Sequence, residues 1–116
     1  MARILIIDDE DYIRDILSAR IEQLGHEALT AATLEQGLRL IEQQPLDLIF
    51  LDVHLPDGNG LDALPAIRQN TAQPEIIIIT AAGSARGAEL AISQGAWDYI
   101  EKPFYKETLI LQVQQA

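Results

Sequence analysis

Five short runs of aliphatic and β-branched residues recur along this chain: Arg3–Ile7, Glu27–Ala31, Asp47–Leu51, Glu75–Ile79 and Trp97–Glu101. Their first residues lie 20 to 28 positions apart, which leaves room for one helix between each pair. Runs of strand length read as buried parallel strands when helical patterns separate them. Those patterns are present. Ile13, Ile16, Leu17 and Leu24 share a helix face, and Gly25 stands where a left-handed cap would end that helix. Leu34, Leu38 and Ile41 repeat the pattern, with Thr33 as the N-cap and Pro45 just past the end. A third helix is expected within Leu61–Asn70, with Pro65 in its first turn, where a missing N–H costs little. Ala85–Gln94 and Tyr105–Gln114 supply the last two. The alternation predicts an α/β fold: a doubly wound, flavodoxin-like, five-stranded parallel sheet of order 2-1-3-4-5 with helices on both faces.

Composition narrows the function. The 116 residues suit one domain spanning 1–116, and 48% hydrophobic content suffices for one core. Eight Lys and Arg against 18 Asp and Glu give a net charge of −10. That sign excludes the footprint of a nucleic-acid binder and of a polybasic membrane-surface module. The chain has no Cys, hence no thiolate metal site, and its apolar runs are too short to span a membrane. It reads as a soluble, cytoplasmic, acidic domain.

In an open doubly wound sheet, ligands bind beyond the carboxyl ends of the strands. The first strand ends in Asp8-Asp9, the third in Asp52, the fourth in Thr80 and the fifth in Glu101-Lys102-Pro103. The second ends in Ala31-Ala32, a chemical blank that fits an edge strand. Carboxylates gathered this closely repel one another unless a cation offsets their charge. Lys102, one of only two lysines in the chain, is one such cation. Carboxylate oxygens without His or Cys ligands favour Mg²⁺ or Mn²⁺ over zinc as the other. A carboxylate, a divalent cation, an ammonium and a hydroxyl converging on one point suit phosphoryl transfer, the carboxylate attacking while the cations neutralise the equatorial oxygens. Each feature alone has a plainer reading: Asp8 to Asp11 as helix caps, Asp52 as a turn residue, Thr80 as a strand former, Lys102-Pro103 as loop punctuation. Their joint occurrence at four strand ends favours a site.

ILIIDDE at Ile4–Glu10, LIFLDVHLPDGNG at Leu48–Gly60, IIIITAAG at Ile76–Gly83 and GAWDYIEKPF at Gly95–Phe104 together resemble the receiver domain of two-component response regulators, the fold shared with the chemotaxis response regulator. The resemblance implies that Asp52 is the phosphoacceptor, that Asp8 and Asp9 are the acidic pair with Asp9 a direct Mg²⁺ ligand, and that Asp52 and the backbone carbonyl of His54 complete the metal site. It implies further that Thr80 is the switch hydroxyl, Lys102 the phosphate-binding lysine, Tyr99 the switch aromatic, and that the Lys102–Pro103 peptide is cis. His54 is not the commonest residue at its position; its side chain and Ala82 would flank the path of the hydrolytic water. His26, after a capping glycine, reads as a surface turn residue.

The implied partners are a sensor histidine kinase and, through the face of the fourth helix, fifth strand and fifth helix, an output domain or a second copy of the domain. With Leu109 and Val113 facing the sheet, Leu111 points about 200° from Leu109 and is left for such a partner. The implied role is a signalling module that catalyses only its own Mg²⁺-dependent phosphorylation and dephosphorylation. The cadence TAAGS…GAWDYIEKPF is most similar to receivers of NtrC-like activators of alternative-sigma-factor transcription, so a longer parent protein that regulates transcription is expected. Three other readings compete. A Mg²⁺-dependent phosphatase would want a second Asp where His54 stands; a flavodoxin-like nucleotide or flavin module would want a phosphate-cradling first loop rather than Asp8-Asp9; and the intact set of Asp8, Asp9, Asp52, Thr80 and Lys102 counts against a phosphate-independent interaction receiver.

Overall fold

The structure, a computed structural model, describes residues 1–69, 74–80 and 98–101. In chain order these form β1 (Arg3–Ile7), α1 (Asp11–Gln23), β2 (Glu27–Ala31), α2 (Leu34–Gln43), β3 (Leu48–Asp52), a two-residue ladder of β4 (His54–Leu55) with β5 (Gly58–Asn59), a 3₁₀ turn (Gly60–Ala63), α3 (Leu64–Arg68), β6 (Glu75–Thr80) and β7 (Asp98–Glu101). Five strands make one sheet of order β2-β1-β3-β6-β7, every pair parallel. This is the expected order, with β2 on an edge.

Continuous aliphatic strands follow from covering both faces of the sheet. Successive side chains alternate between those faces. Ile4, Ile6, Leu48, Phe50, Ile77 and Ile79 pack with Ile13, Leu17 and Ile21 of α1. Leu5, Ile7, Ile49, Leu51, Ile76 and Ile78 pack on the other side with Ile41 of α2 and Leu64 and Ile67 of α3. Each fully buried aliphatic side chain contributes about 1.5–3 kcal/mol, so these two layers fix the register and hence the level at which each strand ends.

The helix ends are set locally. Gly25, at φ +88°, closes α1: its N–H donates to the Glu22 carbonyl at 3.0 Å and that of His26 to the Ile21 carbonyl at 3.1 Å, the paired bonds of a Schellman motif. Thr33 caps α2, accepting the Gln36 N–H at 3.2 Å, while Gln36 Oε1 accepts the Ala32 N–H at 3.0 Å. Gly37 lets α2 lie on β1, since a Cβ there would fall 2.4 Å from Ile7 Cδ1.

Several expectations need correction. Ile16 is 37% exposed. The buried stripe of α1 is Ile13, Leu17 and Ile21, and Ile16 stands about 100° round the helix from Leu17. His26 is half-buried rather than a plain surface residue, because its Nδ1 accepts the Ala2 N–H at 2.9 Å. The expected helix within Leu61–Asn70 begins as the 3₁₀ turn. Pro65 has no N–H for the Leu61 carbonyl, so the Leu64 N–H takes that carbonyl three residues on instead. Strand β3 runs one residue later than expected, as Leu48–Asp52, and β6 one residue further, to Thr80. The helices expected at Ala85–Gln94 and Tyr105–Gln114, with Leu109, Leu111 and Val113, lie outside the described residues, as does Trp97.

Candidate functional site

Register brings the acidic residues to one rim. Ile7 pairs with Leu51, so Asp8 and Asp52 are the next residues along adjacent strands, whose backbones run about 4.8 Å apart. Asp52 pairs with Ile79, and Thr80 pairs with Glu101, the residue before Lys102. Asp8 and Asp52 are both buried, 0% and 4% exposed. Burying two like charges on neighbouring strands is costly in the absence of a compensating cation.

Backbone hydrogen bonds hold both residues. The Asp8 N–H donates to the Ala31 carbonyl of β2 at 3.1 Å, and Asp8 Oδ1 accepts the Glu10 N–H at 2.9 Å. Arg14 of α1 reaches back, its Nη1 donating to the Asp8 carbonyl at 2.8 Å while its Nη2 pairs with the Asp11 carboxylate. The turn between β1 and α1 is thereby clamped from the helix side. Asp52 Oδ1 lies 3.3 Å from the His54 nitrogen, and the Val53 N–H donates to the Ile79 carbonyl at 3.2 Å.

The loop after Asp52 folds back beneath it. The Gly60 N–H donates to the Val53 carbonyl at 2.8 Å, and Asn59 Oδ1 accepts the Leu61 N–H at 2.8 Å. A Cβ on Gly60 would fall 2.1 Å from the Asp52 carbonyl oxygen. Only glycine allows this approach, so a residue that reads as ordinary turn chemistry is a packing requirement of Asp52 itself.

The donor set suits a hard cation. Asp8, Asp9 and Glu10 each offer a carboxylate oxygen, and these oxygens lie within 4.8 Å of one another. Asp9 and Glu10 are exposed, the access a hydrated ion needs. Glu10 was not among the expected ligands. It occupies the N-cap position of α1 but makes no side-chain capping hydrogen bond, and its signal in the sequence was the unbroken acidic run beginning at Asp8. The His54 side chain is exposed, and its backbone pairs with Asn59 in the short ladder. Thr80 and Tyr99 sit in β6 and β7, Tyr99 paired with Ile78. Lys102, Pro103 and Ala82, and with them the expected cis peptide, lie outside the described residues.

The response regulator receiver domain model matches residues 4–114. The chain is 37% identical over 113 residues to the transcriptional regulatory protein CpxR of Escherichia coli K12, covering 97% of this chain and 48% of CpxR. It is 36% identical over 115 residues to the DNA-binding transcriptional regulator NtrC of Azospirillum brasilense, covering 99% and 24%. The chain thus spans about half or less of the length of these curated relatives. In three dimensions it matches the beryllofluoride-activated NtrC4 receiver domain dimer with a TM-score of 0.92 at 37% identity, covering 99% of this chain and 95% of that one. Sequence match, sheet order and the acidic rim agree, and the chain belongs to the response regulator receiver domains of two-component systems.

Proposed function

We propose that residues 1–116 act as one receiver domain in which Asp52 accepts a phosphoryl group from a phosphohistidine of a sensor histidine kinase. The observation that carries this reading is the burial of Asp8 and Asp52 side by side at the carboxyl ends of β1 and β3. In the transfer, a carboxylate oxygen of Asp52 forms a bond to phosphorus as the N–P bond of the phosphohistidine breaks, its electron pair returning to the imidazole. Asp9, with Asp8, Asp52 and the His54 carbonyl, would hold Mg²⁺, and Glu10 extends that donor set. The ion, when bound, neutralises charge on the phosphoryl oxygens. The Asp8 carboxyl lies beside the acceptor, where it adds an oxygen donor for the cation. Gly60 and the clamped turn hold the carboxylates so that little reorganisation accompanies transfer. Lys102 pairs with a phosphoryl oxygen and Thr80 donates a hydrogen bond to another.

The readout is a surface change relayed through Thr80 and Tyr99 to the face of the fourth helix, fifth strand and fifth helix, where a second copy or an output domain docks. The dimeric state of the activated NtrC4 receiver supports this partner class. Regulation of transcription in the cytoplasm is the consequent role, supported by the relatives CpxR and NtrC. Incubation with a small acyl phosphate should add one phosphoryl group by intact mass with Mg²⁺ present and none in excess chelator. Phosphorylation that proceeds equally with chelator would contradict the reading.

A further inference from the structure

Asp57 lies at the tip of the short ladder that follows Asp52, three residues past His54. Its carboxylate spans the N-terminus of α2, a helix of ten residues. Oδ1 accepts the Leu34 N–H at 2.8 Å and Oδ2 the Glu35 N–H at 2.9 Å. With Thr33 on the Gln36 N–H, three first-turn amides of α2 have acceptors, two of them supplied from across the fold. These amides and the helix dipole favour a carboxylate at this spot. The Asp57 carboxyl is accordingly held below its ordinary value, first by the Glu35 amide and then by that of Leu34. Beside it, a Cβ added to Gly58 would come 3.4 Å from Leu34 Cδ2, an ordinary contact with the first side chain of α2.

We propose that Asp57 is a positioning residue: by tying the loop from Val53 to Gly60 to the first turn of α2, it holds the His54 backbone where the metal site needs it. This rests on the Mg²⁺-dependent phosphoacceptor reading given above. The loop is fixed at its base by the Gly60–Val53 bond and at its tip by Asp57, and His54 lies between the two fixed points. Freeing the tip leaves the His54 carbonyl to be ordered when the ion binds, which lowers affinity without removing a ligand. Linkage runs the other way too: Mg²⁺ binding should tighten the contact and slow exchange of the Leu34 and Glu35 amides.

The test is Mg²⁺ titration of the whole chain, followed by backbone amide resonances, in wild type, Asp57→Ala, Asp57→Asn and Thr33→Ala. Asp57→Ala should weaken Mg²⁺ about tenfold. Asp57→Asn should weaken it less, because one acceptor oxygen remains while the charge is lost as in Ala. Thr33→Ala removes a cap from the same helix end without touching the loop, and should leave Mg²⁺ affinity unchanged. Wild-type affinity in Asp57→Ala overturns the proposal while leaving the phosphoacceptor reading intact. Equal losses in Asp57→Ala and Asp57→Asn assign the effect to charge and overturn it. A loss in Thr33→Ala matching that in Asp57→Ala assigns it to helix stability and also overturns it. A wild-type chain without a saturable Mg²⁺ response overturns both readings.

Discussion

At the amino ends of the strands, polar groups are matched by partners of opposite kind. Arg3 Nε stands 3.0 Å from Glu27 Oε2, the Arg3 N–H donates to Asp47 Oδ2 at 2.8 Å, and His26 Nδ1 accepts the Ala2 N–H. These side chains are half-buried or exposed, and charges of both signs are present. At the carboxyl ends, Asp8 and Asp52 are buried and the carboxylates of Asp9 and Glu10 stand beside Asp8, so acidic groups cluster on this rim. The first arrangement closes a sheet edge. The second is costly without a compensating cation, a pattern that supports the binding site proposed above.

Substitutions on the two rims should therefore differ in kind. Gly60→Ala should have the largest effect: the added methyl meets the Asp52 carbonyl, so unfolding by denaturant should show a loss of about 1–3 kcal/mol, together with slower phosphorylation. Unchanged stability would mean that the loop moves freely beneath Asp52 and that the carboxyl rim is less constrained than drawn. Asp9→Ala should abolish the Mg²⁺ response while leaving stability unchanged or higher, because like-charge repulsion is relieved. A destabilised Asp9→Ala would mean that this carboxylate is structural and would erase the contrast between the rims.

Acid should loosen the acceptor loop. The folded-state pKa of Asp57 lies below its ordinary value of 3.8, so its stabilising bonds are fully present above that value and are lost as pH falls through the folded pKa. The stability difference between wild type and Asp57→Asn should stay constant near neutrality and shrink below about pH 4. A difference that grows on acidification would contradict the hydrogen-bonded carboxylate. Glu27→Ala on the amino rim should have the smallest effect, under about 1 kcal/mol, with Mg²⁺ affinity and phosphorylation unaltered.

The sheet order was legible because five aliphatic runs alternating with helices leave a handful of right-handed topologies, and the order 2-1-3-4-5 gathers the polar strand ends while leaving the chemically blank second strand at an edge. The caps at Gly25 and Thr33 were legible because their partners lie within five residues. Asp8 and Asp52 were legible because a strand end is where an aliphatic run stops. Asp57 was not, since its partners are 22 and 23 residues away and only the folded chain brings α2 to the loop. Nor was the 2.1 Å approach at Gly60, because nothing in a Gly-Asn-Gly turn announces which carbonyl it will cover. Ile16 misled because helical periodicity places a residue within a wide arc, whereas packing against the sheet decides which edge of that arc is covered.

The carboxyl rim is expected to carry one phosphoacceptor, Asp52. Borohydride reduction of the acyl phosphate-treated chain, followed by peptide sequencing in a mass spectrometer, locates the modified carboxyl directly. Conversion of Asp52 alone to the corresponding alcohol, lost in Asp52→Asn, is the predicted result; conversion at Asp8 or Asp9, or undiminished labelling of the Asp52→Asn chain, would contradict it.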